Sequence, residues 1–552
     1  MKQLIGAIGI CLLSNMAWSK GMAAFEWFEY KGNDKQFTEK LPENGFRNPI
    51  LAGFYPDPSI TRKGDDYYLV TSSFAYTPGL PIFHSKDLVH WEQVGHALSR
   101  PSQVEFAGLG LSRGIFAPTL RYHEGTFYLI TTAVDAGGNF IITAKDPAGP
   151  WSDPIWLPEV GGIDPDIFFD GNGKAYITHN DEPPGTPLYE GHRALWMWEL
   201  NLDEMKVVKG SRKLLVNGGV DLSAKPVWIE GPHIYKINGW YYLISAEGGT
   251  SVNHSVVVFR TRSLDSPFVP YKNNPILTQR DVKNTRVTST GHADLIQTPD
   301  GNWWSVFLAT RPYQENLYNT GRETYLLPVT WKDGWPHYLE SKAPVPVTLA
   351  GPIGMQAGTQ WPLTGNGTWR DNFDTTKLKP QWLGLNTFNR DWLTLADGKL
   401  QMAPITTTIT DPAQSAFIGR RQQHQTFTAT TQVQVPEDGI AAGLLVLQNR
   451  QANYFFAVRK EGQSWQGFVE KVVAGNAQNV ASVALNVSAG ELLQLKVEGN
   501  KGSLQFFIHQ DGDHQDKWSP VGDAQDASIL STEKAGGFVG AMVGLHVREQ
   551  AE

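Results

Sequence analysis

Asp57-Pro-Ser-Ile60, followed by Tyr67-Tyr-Leu-Val70, is the stretch that decides the fold, because the chain repeats its plan four more times. Ala117-Pro-Thr-Leu precedes Phe127-Tyr-Leu-Ile, and Asp164-Pro-Asp-Ile precedes Ala175-Tyr-Ile. Gly231-Pro-His-Ile precedes Tyr241-Tyr-Leu-Ile, and His292-Ala-Asp-Leu precedes Trp303-Trp-Ser-Val. Between the two halves of each unit stands a glycine: Gly64, Gly125, Gly173, Gly239 or Gly301. Glycine in a short link between two β-branched or aromatic runs signals a hairpin. The lead residues fall 47 to 67 residues apart, room for about four short strands and their turns, which is one propeller blade. Helical periodicity is nearly absent. The expected fold is all-β: a five-bladed β-propeller over residues 40–342, with a stack of sandwiches or an irregular β domain as the competing readings.

In a propeller the innermost strands line one axis, so matched repeat positions converge. Those positions are Asp57, Ala117, Asp164, Gly231 and His292, with Glu230 one place before Gly231. Carboxylates are seldom buried without a partner or a task. An isolated Asp-Pro reads as a turn; three carboxylates at matched positions read as a site. Two carboxyl groups flanking a glycosidic bond suffice to hydrolyse it, one protonating the leaving oxygen and one activating water. Asp57 lies between Pro56 and Pro58, which stiffen the backbone and suit a base. Glu230 follows Val227-Trp228-Ile229, a setting dry enough to raise a carboxyl toward the value an acid needs. Asp164 can raise that acid further by like-charge repulsion, with Asp166 a neighbouring competitor. His292 has three readings: a hydrogen-bonded core residue, a pocket wall, or a metal ligand.

The surrounding sequence sets bounds. The chain has 552 residues, 41% hydrophobic and 18% charged, with net charge −8, which fits an ordered protein of two domains. No basic run marks a nucleic-acid partner. No late segment is long enough to mark a membrane partner. Residues 1–19 read as a signal peptide, with Lys2, the apolar run Leu4 to Leu13 and the small-x-small site Ala17-Trp-Ser19. A secreted or periplasmic protein is expected. The single cysteine, Cys11, lies in that segment, so a mature chain has no disulfide framework. Residues 343–365, with Ala343-Pro-Val-Pro-Val and Gly351-Pro-Ile-Gly, read as a linker. Residues 366–552 alternate, as in Thr426-Phe-Thr-Ala-Thr-Thr-Gln-Val-Gln-Val, and read as an antiparallel β-sandwich packed on one or both faces.

These residues resemble glycoside hydrolase family 43, the β-xylosidase and α-L-arabinofuranosidase group. The motifs are Asn48-Pro-Ile-Leu-Ala-Gly-Phe-Tyr-Pro-Asp-Pro-Ser-Ile, Gly162-Ile-Asp-Pro-Asp-Ile, Trp228-Ile-Glu-Gly-Pro-His-Ile-Tyr, Glu247-Gly-Gly-Thr, Gly291-His-Ala-Asp-Leu and Gly321-Arg-Glu-Thr. The resemblance implies Asp57 as general base, Glu230 as general acid and Asp164 as the residue that tunes the acid. It implies that Arg322 binds sugar hydroxyls, that Phe74 lines the terminal-sugar subsite, and that His292 sits beneath it, in some members next to a calcium ion. No cofactor is otherwise required. Gly419-Arg-Arg-Gln-Gln-His and Gly540-Ala-Met-Val-Gly-Leu resemble the family's concanavalin-like (jelly-roll) sandwich. Phe116 stands where many β-xylosidases of the family have Trp, which leaves the sugar open. The expected function is exo-acting, inverting release of terminal β-D-xylose or α-L-arabinofuranose from xylo- or arabino-oligosaccharides. The alternatives are an endo-arabinanase on the same propeller and a glycan-binding protein without catalysis. The sequence carries no signal for oligomeric state.

Overall fold

The computed structural model describes residues 21–340, 343–355, 363–406, 408–410, 415–510 and 517–550. The segment read as a signal peptide, and part of the linker, lie outside these. Among the described residues the chain is nearly all strand, with one four-residue α-helix, Thr532–Ala535.

Five successive antiparallel sheets occupy the first region. Their first strands are Ser59–Lys63, Thr119–His123, Ile163–Phe169, Glu230–Ile237 and Thr288–Gln297. Each turns into its second strand at the glycine of the repeat. At Glu124-Gly125 and Asn238-Gly239 both turn residues have positive φ, the hairpin conformation that matches strand twist. The first strands touch in cyclic order, the fifth returning to the first. Because strand side chains alternate between faces, each sheet feeds two cores. Phe127 and Leu129 pack toward the first sheet, whereas Ile130 and Ile141 pack toward the third. Five such inter-sheet cores close the ring; the last joins Trp304 and Val306 to Ile60 and Leu69.

The second region is a sandwich of a nine-stranded and a six-stranded sheet. The N-terminal strand Ala23–Gly32 lies inside the nine-stranded sheet, between Lys399–Met402 and Thr426–Gln434. Residues from both ends of the chain therefore build it. The two sheets differ as their sequences do. Thr426–Gln434 alternates and buries one face. In Ile440–Asn449, Ala442, Leu444 and Val446 enter the sandwich core while Ala441, Leu445 and Leu447 pack toward the propeller with Phe54, Phe74 and Tyr76. A strand covered on both faces loses its polar alternation. Side chains such as Leu445, Phe455 and Met542 are each worth about 1.5–3 kcal/mol when withdrawn from water, so the two regions hold together by a second apolar core. A buried ion cluster runs beside it: Arg311 pairs with Glu323 and Asp34 and donates to the Gln423 carbonyl. The stretch after residue 343 is packed as well. Val345 and Val347 are buried, and Thr348–Ala350 pairs with Gly45–Arg47.

Candidate active site

The site begins with a backbone device shared by the repeats. Asp57, Asp164 and His292 have φ of 54°, 55° and 51°, and Gly231 has 57°. The left-handed region is uncommon for residues other than glycine. At the third, fourth and fifth sheets the strand register shifts across these same positions. A bulge re-aims one side chain; repeated around the ring, it turns several toward one end of the axis. It also explains why Glu230 sits one place early. Gly231 takes the left-handed position, where a Cβ would lie 2.9 Å from the His292 ring. Its N–H donates to Asp164 Oδ2 at 3.2 Å.

These residues line one cavity of about 710 Å³. Asp57, Asp164, Glu230, His292, Arg322, Phe74 and Phe116, all singled out in the sequence, meet there. Phe538 of the sandwich joins them. Its ring stacks against Phe74 (6.2 Å between centroids) and meets Phe116 edge-on (5.7 Å). Arg322 lies 5.7 Å from the Phe538 ring centre. A close backbone approach brings the two regions together here: a Cβ on Gly321 would stand 2.8 Å from Gly540 Cα. This gives a physical reason for glycine in both the Gly321-Arg-Glu-Thr and Gly540-Ala-Met-Val-Gly motifs. Sequence reasoning missed Phe538, two residues before the second motif, because nothing in the chain order says which sandwich loop reaches the propeller. It also left unassigned Trp228, Arg193 and Glu182, which form the rim beside Glu230. Arg193 stacks over Trp228 at 4.3 Å and pairs with Glu182.

The carboxyl groups sit in different electrostatic settings. Burial alone would raise Asp57, but Arg322, then His292 and the Ser72 hydroxyl, hold it below the usual carboxylate value. Arg322 grips it with both terminal nitrogens, 2.8 Å to Oδ1 and 3.4 Å to Oδ2, while Ser72 donates to Oδ2. Glu230 has no such clamp, and among the described residues no hydrogen bond to its carboxyl is recorded. Burial first, then the Asp57 charge, pushes it up to about 7. Asp164 is also raised, by burial and then by Glu230 and Asp57, so Asp164 and Glu230 titrate as a pair. His292 is driven down to about 4, chiefly by burial, and is neutral at pH 7. The cavity thus presents one group able to take a proton and another able to give one. Among the described residues no three His, Cys, Asp or Glu side chains are grouped to hold a metal ion.

The comparisons agree over most of the chain. Residues 46–336 match the family model for glycosyl hydrolases family 43, and residues 370–551 match that for the β-xylosidase C-terminal concanavalin A-like domain. A xylosidase/arabinosidase of Butyrivibrio fibrisolvens is 39% identical over 90% of this chain and 95% of its own length. A non-reducing end α-L-arabinofuranosidase of Bacteroides ovatus is 36% identical, covering 92% of each. Among solved structures, a GH43_12 protein from a capybara gut metagenome superposes with a TM-score of 0.90 at 40% identity, over 96% of this chain and 100% of that one. A xylan β-1,4-xylosidase of Bacillus halodurans gives 0.82 at 31%, over 91% and 97%. With these matches spanning both regions, the chain belongs to glycosyl hydrolase family 43.

Proposed function

We propose that this glycoside hydrolase releases terminal β-D-xylose or α-L-arabinofuranose from hemicellulose oligosaccharides by a single displacement with inversion. The observation that carries the reading is the opposed setting of Asp57 and Glu230 in one cavity. Asp57, kept ionised by Arg322, accepts a proton from water as the water oxygen attacks the anomeric carbon. Glu230, kept protonated by its dry setting, gives its proton to the departing glycosidic oxygen. The C–O bond to the leaving sugar breaks as the bond to water forms. The Asp57 charge supports the protonated acid, while Asp164, itself raised beside Glu230, fixes Gly231 by accepting its N–H. A carboxylate gripped by Arg322 and Ser72 is poorly placed to become a covalent nucleophile, which favours inversion over retention.

The wall of Phe74, Phe116 and Phe538 supports an exo reading over an endo-arabinanase, because an endo enzyme needs a cleft open at both ends. His292 and Arg322 line the terminal-sugar end, and the Arg193–Trp228 pair stands at the rim beside Glu230, where the leaving sugar would lie. A glycan-binding protein would need neither a clamped base nor a dry acid. We further propose that the enzyme acts outside the cytoplasm, from the leader-like residues 1–19. Two measurements test the main reading. Anomeric protons followed by NMR in the first minutes should show the inverted sugar, and early appearance of the retained anomer refutes the mechanism. Parallel assays on nitrophenyl β-xyloside, α-L-arabinofuranoside and β-glucoside should show activity on the pentosides alone.

A further inference from the structure

The layer beneath the catalytic residues carries a second pattern. Two residues after each lead position of the repeat stand Ser59, Thr119, Asp166, His233 and Asp294. Into this layer comes Arg121 from the second sheet. Its Nη1 donates to Asp294 Oδ2 at 2.8 Å, and its Nε lies 3.1 Å from Asp166 Oδ1. Its Nη2 donates to His233 Nδ1 at 3.1 Å, and Nη1 also reaches Ser59 Oγ at 3.3 Å. All five sheets thus contribute to one buried cluster around one positive charge. Both Asp166 oxygens are buried; Oδ1 lies against Arg121 Nε and Oδ2 lies 3.2 Å from His233 Nδ1, so the one permanent positive charge beside that carboxylate is the arginine's. The His233 ring meets His292 edge-on at 6.2 Å, which couples this layer to the catalytic one.

The calcium ion that the family resemblance raised does not fit this donor set. A calcium ion takes six to eight oxygens, and three carboxylates along the axis are engaged by arginines, Asp57 by Arg322 and Asp166 and Asp294 by Arg121, while Asp164 and Glu230 are raised toward their neutral forms. We infer that Arg121 is the resident cation of the propeller axis, a positioning residue whose guanidinium ties the five inner strands together beneath the catalytic layer in place of a metal ion. Removing it would leave two uncompensated buried carboxylates with Ser59 and His233 around a space, which is a set of donors for a hard cation.

The test uses the full chain. Wild type is dialysed against EDTA, and its melting temperature and kcat on nitrophenyl β-xyloside are measured with and without calcium chloride. Arg121→Ala is then treated with calcium, guanidinium, or neutral urea at equal low concentration. Wild type should move by less than about 1 °C, since its cation is covalent. The variant should melt about 5–15 °C lower. Its kcat, measured below its melting point, should fall about 10-fold or more through misplacement of the layer above. Calcium or guanidinium should restore both, and urea neither. The inference is overturned if EDTA destabilises wild type and calcium reverses it. It is equally overturned by a folded variant that matches wild type or ignores every cation. Should Arg121→Ala fail to fold, the wild-type arm and Arg121→Lys, expected to stay folded and indifferent to calcium, decide the matter.

Discussion

Asp57 and Glu230 face the same cavity from different sheets, yet one is held ionised and the other protonated. Asp57 sits among donors: two nitrogens of Arg322 and the Ser72 hydroxyl. Glu230 follows Trp228 and the buried Ile229, with no recorded donor to its carboxyl among the described residues. Burial is the largest influence on both and acts upward on both. Partners therefore decide the outcome: a cation in contact overcomes desolvation, and without one desolvation wins. The proposed acid and base roles rest on the neighbours, not on the choice of Asp or Glu.

The sharpest way to break this comparison is to remove each group. Asp57→Asn and Glu230→Gln should each lower kcat about 10³-fold or more on unactivated xylobiose or arabinoside bonds while the fold survives. Only Glu230→Gln should recover on substrates with a good leaving group, which need little protonation. Recovery by Asp57→Asn and not by Glu230→Gln would mean the roles are reversed, and equal recovery by both would refute the assignment. Next in size is Arg322→Met, expected to cost about 10²-fold in kcat/KM. Without the clamp, Asp57 should titrate higher, so the acid limb of the pH–kcat/KM profile should rise by about one pH unit or more. In wild type the basic limb should lie near the value of about 7 for Glu230, with activity falling as pH rises through it.

Smaller effects test the wall. Phe538→Ala, though in the sandwich, should lower kcat/KM on nitrophenyl β-xyloside about 10–100-fold, the range of a lost apolar fit. Unchanged kinetics would mean the sandwich does not complete the subsite. Phe116→Trp should shift the xyloside-to-arabinofuranoside ratio toward xyloside by about 10-fold or less. The smallest effect concerns stability. The folded-state value of Glu230 is raised above its ordinary one, so the folded state binds the proton more tightly and stability falls as pH rises from about 4.5 through about 7. Glu230→Gln removes this penalty. Its melting temperature relative to wild type should climb over that window by about 2–4 °C and then level. A flat difference across pH would show that Glu230 is not held protonated.

Much of the site was legible because a propeller turns sequence repetition into spatial convergence. Asp57, Asp164 and His292 could be matched by counting along the repeat, and the offset of Glu230 was visible without its cause. The cause, a left-handed residue and a bulge, is a backbone property that a lead glycine only hints at. The axial arginine was not legible. Arg121 is the third residue of its strand, where an exposed hairpin residue would read the same way, and its carboxylate partners lie 45 and 173 positions away. The place of Ala23–Gly32 in the sandwich was invisible for a similar reason, since its strand partners lie hundreds of residues on.

Local pattern was enough for the all-β class, the repeating hairpins with glycine turns, and the candidate carboxylates, because strand alternation and turn chemistry act over a few residues. The alternation of Thr426–Gln434 marked a sandwich strand, but which strands are covered on both faces, as Ile440–Asn449 is, emerged only in the fold. Tertiary structure alone decided which partners hold Asp57 low and leave Glu230 raised, that Phe538 joins the pocket wall, and that Arg121 meets Asp166 and Asp294. Each depends on charges and rings brought together from distant parts of the chain, and electrostatic and packing energies depend on distance in space, on which separation along the sequence has no bearing.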